Sequence, residues 1–170
     1  LPTATAQLSN LADVLVEACL EIAATQAGAK PSDLLVIGMG KLGGQELNYS
    51  SDIDLLFLAK DPSAQVTHMA ERLIDALARV TTEGFLYRVD MRLRPWGMVG
   101  PLVSSPDSYM TYLARNALRW EKQALLKARV IAGDRESGEK LLLSLHPLLF
   151  DEPAESVRAD VFALKQRTEE

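Results

Sequence analysis

Asp52 and Asp54 stand one residue apart, shortly after a glycine-rich turn that runs Gly38-Met39-Gly40-Lys41-Leu42-Gly43-Gly44. The apolar run Leu34-Leu35-Val36-Ile37 before the turn reads as a buried strand, and Ile53 to Leu58 as its neighbour. Side chains alternate along a strand, so both carboxylates share one face while Ile53 and Leu55 point to the core. Carboxylates so placed can bridge one or two Mg²⁺ ions, hard cations that take oxygen ligands and substrate phosphates. A third, Asp90, falls on a further expected strand, Leu86 to Leu93, where Tyr87, Val89, Met91 and Leu93 alternate with Arg88, Asp90, Arg92 and Arg94. Three carboxylates on adjacent strands can hold two metals, one activating an attacking oxygen and one steadying a leaving phosphate. Gly38, Gly40, Gly43 and Gly44 can admit phosphates, with Lys41 among them and Ser50 and Ser51 just ahead of the carboxylates. The pattern predicts nucleotidyl transfer, with Asp52, Asp54 and Asp90 as catalytic and metal-binding residues.

Positive charge is available nearby. Arg92 and Arg94, on the expected face of Asp90, can grip phosphate oxygens bidentately. Lys127 and Arg129 extend the basic group, unless they belong to a solvated or salt-bridged helix end. Each carboxylate also has a plain structural reading: Asp52 bonded by Ser50 or Ser51, and Asp90 paired with Arg88 or Arg92. The combination of glycine turn, Asp-x-Asp and third strand aspartate favours chemistry over those readings. The glycines do match G-x-G-x-x-G, but a dinucleotide fold needs a full helix after them and an acidic residue at the end of the next strand. A Walker A loop fails because Lys41 lies between the glycines and is followed by Leu42, not Ser or Thr. Trp96, Trp120, Tyr109 and Tyr112 read as core or loop packing rather than a base-stacking platform. His68 and His146 lack ligand-like company for a metal site.

The elements that must position these residues follow from periodicity and caps. A helix is expected over about Leu8 to Ala27, with Leu8, Leu11, Val14, Leu15, Ala18 and Ile22 as its apolar stripe, Ser9 as a cap and Gly28 as its stop. After the two strands comes a polar connection, Lys60 to Val66, then a helix near Thr67 to Thr81 closed by Gly84. Pro95, Gly97, Gly100 and Pro101 make a loop, and Ser105 with Pro106 caps a helix through Tyr109 and Tyr112. Helical material is expected from Trp120 to Val130, a further helix from Asp134 to Leu145, and a last one from Asp151 and Pro153 to about Arg167. The order predicts an α+β fold: a helix over 1–33 packed on a sheet core at 34–104, with a helical extension at 105–170 completing the same domain.

Composition narrows the class. The 170 residues suffice for one self-supporting core. The net charge is −5, yet residues 88–129 hold eight Lys/Arg against three Asp/Glu, with ten against twenty elsewhere. So focused a basic region suits a few phosphates rather than a nucleic-acid surface. The single cysteine, Cys19, sits in an apolar helical pattern and excludes a disulfide framework or thiolate metal site. Apolar runs are too short to span a membrane and no signal sequence is evident, so no membrane partner and a cytoplasmic location are expected.

Four blocks, taken in order, resemble a known family. They are G-M-G-K-L-G-G-x-E-L-N-Y-S-S-D-I-D-L at 38–55, Y-R-V-D-M-R-L-R-P at 87–95, G-P-L-V at 100–103 and W-E-x-x-A-L-x-K-A-R-V-I-A-G-D at 120–134. Together they resemble the nucleotidyltransferase domains of the bifunctional glutamine synthetase adenylyltransferase/adenylyl-removing enzymes, over about Leu8 to Arg167. The resemblance implies a polymerase-β-like core, Mg²⁺ on Asp52, Asp54 and Asp90, ADP or ATP and phosphate as substrates or products, and glutamine synthetase as protein substrate. A nitrogen-signalling PII protein is implied as a partner of the full-length enzyme.

Enzymes of that family carry two such domains, one attaching AMP to a tyrosine and one removing it by phosphorolysis to give ADP. Met39, Asn48, Ile53, Arg88, Trp96 and Pro101 resemble the removing half, whereas Gln123-Ala124-Leu125 leans toward the attaching half. The connection from Ala59 to Thr67 is shorter than the family's. A non-catalytic docking module remains the competing class, and the retention of all three aspartates argues against it.

Overall fold

The computed structural model describes residues 2–150, so the helix expected from Asp151 to Arg167 lies outside the described residues. A mixed sheet runs β3-β2-β1-β5, with β4 also beside β2. Its members are β1 (Leu35–Gly38), β2 (Ile53–Leu58), β3 (Val89–Asp90), β4 (Val103–Ser104) and β5 (Arg129–Gly133). β1 pairs antiparallel with β2 on one side and β5 on the other, while β3 and β4 both run parallel to β2. The helices are α1 (Pro2–Ala27), α2 (Gly40–Gly43), α3 (Ala64–Ala78), α4 (Pro106–Arg115), α5 (Arg119–Ala124) and α6 (Arg135–Phe150). The arrangement is α+β, as expected.

Strand alternation sorts the core into two layers. Val36, Ile53, Leu55 and Phe57 pack with Ala12, Val16, Leu20, Met69 and Leu73 of α1 and α3. Leu35, Ile37, Leu56 and Leu58 pack on the other face with Tyr109, Leu113, Leu141 and Leu145 of α4 and α6. Because both faces of β1 and β2 are covered, their sequences are apolar throughout, and the polar Asp54 is admitted only at the strand's entrance.

Several expectations change. α1 begins at Pro2 rather than near Leu8, and Ser9 is an interior residue. Its hydroxyl donates to Thr5 O at 2.9 Å and accepts from Leu47 N at 3.2 Å. The buried stripe of α1 is Ser9, Ala12, Val16, Cys19, Leu20, Ala23 and Ala24, while Leu11, Val14 and Ile22 face outward. Small residues win that face because they let α1 approach α3 and β5 closely. α3 starts earlier than expected, at Ala64, where the Ser63 hydroxyl accepts from Val66 N. The strand expected from Leu86 to Leu93 is only Val89–Asp90, because Leu86 and Tyr87 donate instead to Leu77 O at the end of α3. The helix expected through Val130 gives way at Arg129 to β5, which fills the edge position beside β1. The segment 105–150 therefore contributes a strand to the sheet as well as helices. Ser105 does cap α4 ahead of Pro106, and Asp134 Oδ1 accepts from Ser137 N at the start of α6, which continues past Leu145. Among the described residues no helix is long and apolar enough to cross a membrane.

Candidate active site

The first pair of residues in β2 brings the acidic group together. Ile53 pairs with Val89 and Asp54 with Asp90 across the parallel β2–β3 ladder, so the two aspartates are in register. Asp52 lies immediately ahead of β2. The glycine turn is tied to the same strand by the Met39 amide, which donates to Asp54 O at 2.9 Å. Gly40 has φ +53°, and a Cβ there would overlap the Asp54 carboxylate, so this position requires glycine on two counts. Burial raises the Asp54 pKa above its usual value, and the neighbouring Asp90 and Asp52 carboxylates push it the same way against Arg92 and Lys41. Asp90 is held below the usual range, chiefly by hydrogen bonds from the Arg92 side chain.

Two arginines now occupy the outer carboxylates. Arg88 Nε donates to Asp52 Oδ1 at 2.5 Å, and its Nη2 donates to Ser50 O at 2.7 Å. Arg92 Nε donates to Asp90 Oδ2 at 2.8 Å while its backbone amide donates to Asp90 Oδ1 at 2.8 Å. The partner of Asp52 is thus Arg88, not Ser50 or Ser51. Ser51 instead closes its own turn, its hydroxyl accepting from Asn48 N at 3.3 Å. With oxygens turned to the guanidinium groups, no group of three carboxylate, histidine or cysteine side chains among the described residues is arranged to hold a metal. The donor set itself is all oxygen, and Asp54 sits among like charges, which is the chemistry of a hard divalent cation site. From the sequence, Arg88 stands out only as a family-like residue and a partner for Asp90. The signal for more was its place among the alternating charges of residues 88 to 94.

The remaining expected residues separate. Gly43 is buried, and a Cβ there would overlap Gly38 O and Lys127 O, so it packs against backbone. Gly38 packs against Ile131 and Leu42 in the same way, and Gly44 against Lys127. Lys127 Nζ pairs with Glu46 at 2.7 Å. Arg129 pairs with Asp13 of α1, Nη1 to Oδ2 at 2.5 Å, and also donates to Leu42 O and Gly43 O. Lys127 is thus a salt-bridged helix end, closing the 3-10 turn Leu125–Lys127, whereas Arg129 opens β5 and ties the glycine turn to α1. Arg94 leaves the face of Asp90: the chain turns after Met91, and Arg94 is buried with its guanidinium on the carbonyls of Met91 and Met98. Lys41 is exposed on the turn, close enough to lower the Asp54 pKa. Tyr109 and Tyr112 are buried and the loop residue Trp96 packs edge to face on Tyr112, as expected of packing residues, while Trp120 is half exposed.

Residues 2–143 match the family model described as glutamate-ammonia ligase adenylyltransferase. The chain is 46% identical to the bifunctional glutamine synthetase adenylyltransferase/adenylyl-removing enzyme of Thioalkalivibrio sulfidiphilus, over 73% of this chain and 14% of that protein. It is 45% identical to the enzyme of the same description from Corynebacterium glutamicum, over 97% of this chain and 16% of the relative. It is 43% identical to that of Pseudomonas aeruginosa, over 71% of this chain and 14% of the relative. The chain thus spans about one-seventh of the length of the curated relatives it matches.

Proposed function

The chain belongs to the glutamate-ammonia ligase adenylyltransferase family, and from that premise we propose that it removes AMP from a tyrosine of glutamine synthetase by Mg²⁺-dependent phosphorolysis, releasing ADP. The observation that carries this reading is the in-register placement of Asp54 and Asp90, with Asp52 just ahead, beside a glycine turn that leaves no room for a Cβ over Asp54. A polymerase-β-like core, a cytoplasmic setting and a PII protein as regulator of the longer enzyme belong to the same proposal.

Asp52, Asp54 and Asp90 would hold two Mg²⁺ ions, which when bound neutralise charge on the attacking and leaving oxygens. Arg88 and Arg92, whose side chains are mostly exposed, and Lys41 receive inorganic phosphate beside the adenylyl group. A phosphate oxygen attacks the AMP phosphorus, the bond from phosphorus to the tyrosine oxygen breaks, and the tyrosine leaves as a phenol after taking up a proton. Removal is favoured over attachment by Arg88, which adds a second guanidinium where a phosphate substrate needs one.

Incubation with adenylylated glutamine synthetase, Mg²⁺ and phosphate, with radiolabelled AMP on the protein, is the test. Label released as ADP only when phosphate is present supports the reading. Transfer of label from ATP onto unmodified glutamine synthetase, with none released by phosphate, would move the chain to the attaching half. No reaction in either direction would leave a docking module.

A further inference from the structure

Between Arg92 and β4 the chain forms a loop that the chemistry above does not use, and it is built with unusual constraint. Arg94 lies beneath it, only 8% exposed. Its guanidinium donates to Met98 O at 3.1 Å and Met91 O at 3.4 Å, while its buried Nε meets no partner. Above it Trp96 has φ +63° and Gly97 φ +56°. Gly100 is packed so closely on the Pro95 carbonyl that a Cβ would overlap it. The Trp96 ring meets Tyr112 edge to face, with centroids 5.0 Å apart, and the Tyr112 hydroxyl donates to Glu121 at 2.6 Å. A tryptophan in left-handed backbone is unfavourable, and it persists only where its surroundings over-determine it.

What this rigid base presents to solvent is apolar. Trp96 is 55%, Met98 66% and Val99 93% exposed. The loop adjoins the acidic site, since a Cβ on Gly97 would lie 3.7 Å from Arg92 O, and Arg92 chelates Asp90. Large apolar side chains held in water on an already ordered loop lose little freedom on association, which is the condition for a binding hot spot. The tip favours a protein over a nucleotide. Met98 and Val99 are aliphatic, offering neither phosphate donors nor a ring to stack on, and the Trp96 ring beside them packs edge to face on Tyr112.

We propose that loop 95–100 is a pre-shaped docking element for the protein substrate, with Met98 and Val99 as contacts and Arg94 as the positioning residue that fixes them. It rests on the reading that the substrate is a modified protein. The test has two arms: equilibrium binding of adenylylated glutamine synthetase to the intact chain, and calorimetric binding of ADP with Mg²⁺. The double variant Met98→Ser, Val99→Ser should weaken glutamine synthetase binding about tenfold or more and leave nucleotide binding unchanged. Arg94→Met should match that loss and Arg94→Lys recover part of it. Should Arg94→Met fail to fold, the double variant decides alone, because its side chains are exposed. Unchanged affinity for glutamine synthetase, no binding by the wild-type chain, or a loss on the nucleotide arm instead would each overturn the proposal. Glutamine synthetase binding that depends on the loop, without any release of ADP, would sink the phosphorolysis reading and leave the docking element standing.

Discussion

The chain contains two arginine–aspartate systems of the same chemistry in opposite settings. Arg88 bonds Asp52 at the mouth of the acidic site with both side chains about half in water, while Arg92 keeps its guanidinium in water but bonds an Asp90 carboxylate that is largely buried. Arg129 bonds Asp13 across 116 positions of sequence, partly buried, and donates to two carbonyls of the glycine turn as well. An exposed pair such as Arg88–Asp52 can be exchanged for a competing ion at little cost, whereas a partly buried guanidinium with several acceptors satisfied is a fixed brace. What separates a replaceable partner from a brace is therefore burial and the number of donors already used, neither of which is visible in residue type.

The comparison breaks most sharply at Asp54. Asp54→Asn should lower turnover by about a thousandfold or more if the residue holds metal and charge in the transition state. The apo protein should be no less stable. The folded pKa of Asp54 is raised above 3.8, so its ionised form is disfavoured in the fold. Wild type then loses stability as pH rises from the ordinary carboxylate value through the raised one, while the amide does not titrate. Melting temperatures of the metal-free proteins should coincide in acid and diverge in favour of Asp54→Asn above that window. A variant that keeps more than a tenth of the rate would remove Asp54 from the metal site.

Gly43→Val tests the brace from the other side. Its Cβ would run into Gly38 O and Lys127 O, backbone atoms that cannot swing away, so a loss of about 3 kcal/mol or more in unfolding free energy is expected. Denaturant unfolding measures it. Gly40→Ala, by contrast, should displace the Asp54 carboxylate and weaken Mg²⁺–nucleotide binding more than it lowers stability. Equal effects at the two glycines would mean that the turn has no division between packing and site.

Much of this arrangement was legible in the sequence, and the gaps have physical causes. β2 spans the expected residues and Asp90 does lie on a neighbouring strand, but Asp52 precedes β2 instead of sharing its face, and the register of Asp54 with Asp90 is set by the pairing of two strands, which alternation within one strand cannot specify. β5 was hidden because Val130-Ile131-Ala132 is a short apolar run directly after helical residues, which periodicity cannot assign. The stripe of α1 was misplaced because hydrophobicity selects Leu11, Val14 and Ile22, while close packing selects Ala12, Ala23 and Ala24. Arg94 shared an alternating pattern with Asp90, but the strand ends first, since β4 takes over the edge of β2 at Phe57. Arg129 carried no signal for its partner, which lies on a different element.

Asp13→Asn sharpens the brace at a smaller scale. It removes the charge facing Arg129 while the carbonyls of Leu42 and Gly43 remain, so a loss of about 1–3 kcal/mol in stability is expected. The effect should persist at high salt, because the pair is partly buried. Unfolding curves at low and high ionic strength check both points.

The smallest effect on stability belongs to Arg88. Arg88→Gln removes an exposed pair with Asp52 and a hydrogen bond to Ser50 O, and pairs of this kind contribute about 0–1 kcal/mol. The same change frees Asp52 from its cation. If the arginine is a replaceable partner, Mg²⁺ binding to the variant, followed calorimetrically, should be as tight as in wild type or tighter, because no salt bridge has to open first. The phosphate requirement for ADP release should rise in parallel, since one guanidinium that would receive phosphate is gone. A brace would behave in the opposite way: stability would fall as far as for Asp13→Asn, and Mg²⁺ would bind more weakly because Asp52 is no longer held in place. Measured together, stability, metal affinity and phosphate requirement distinguish an arginine that waits for a substrate from one that holds the fold.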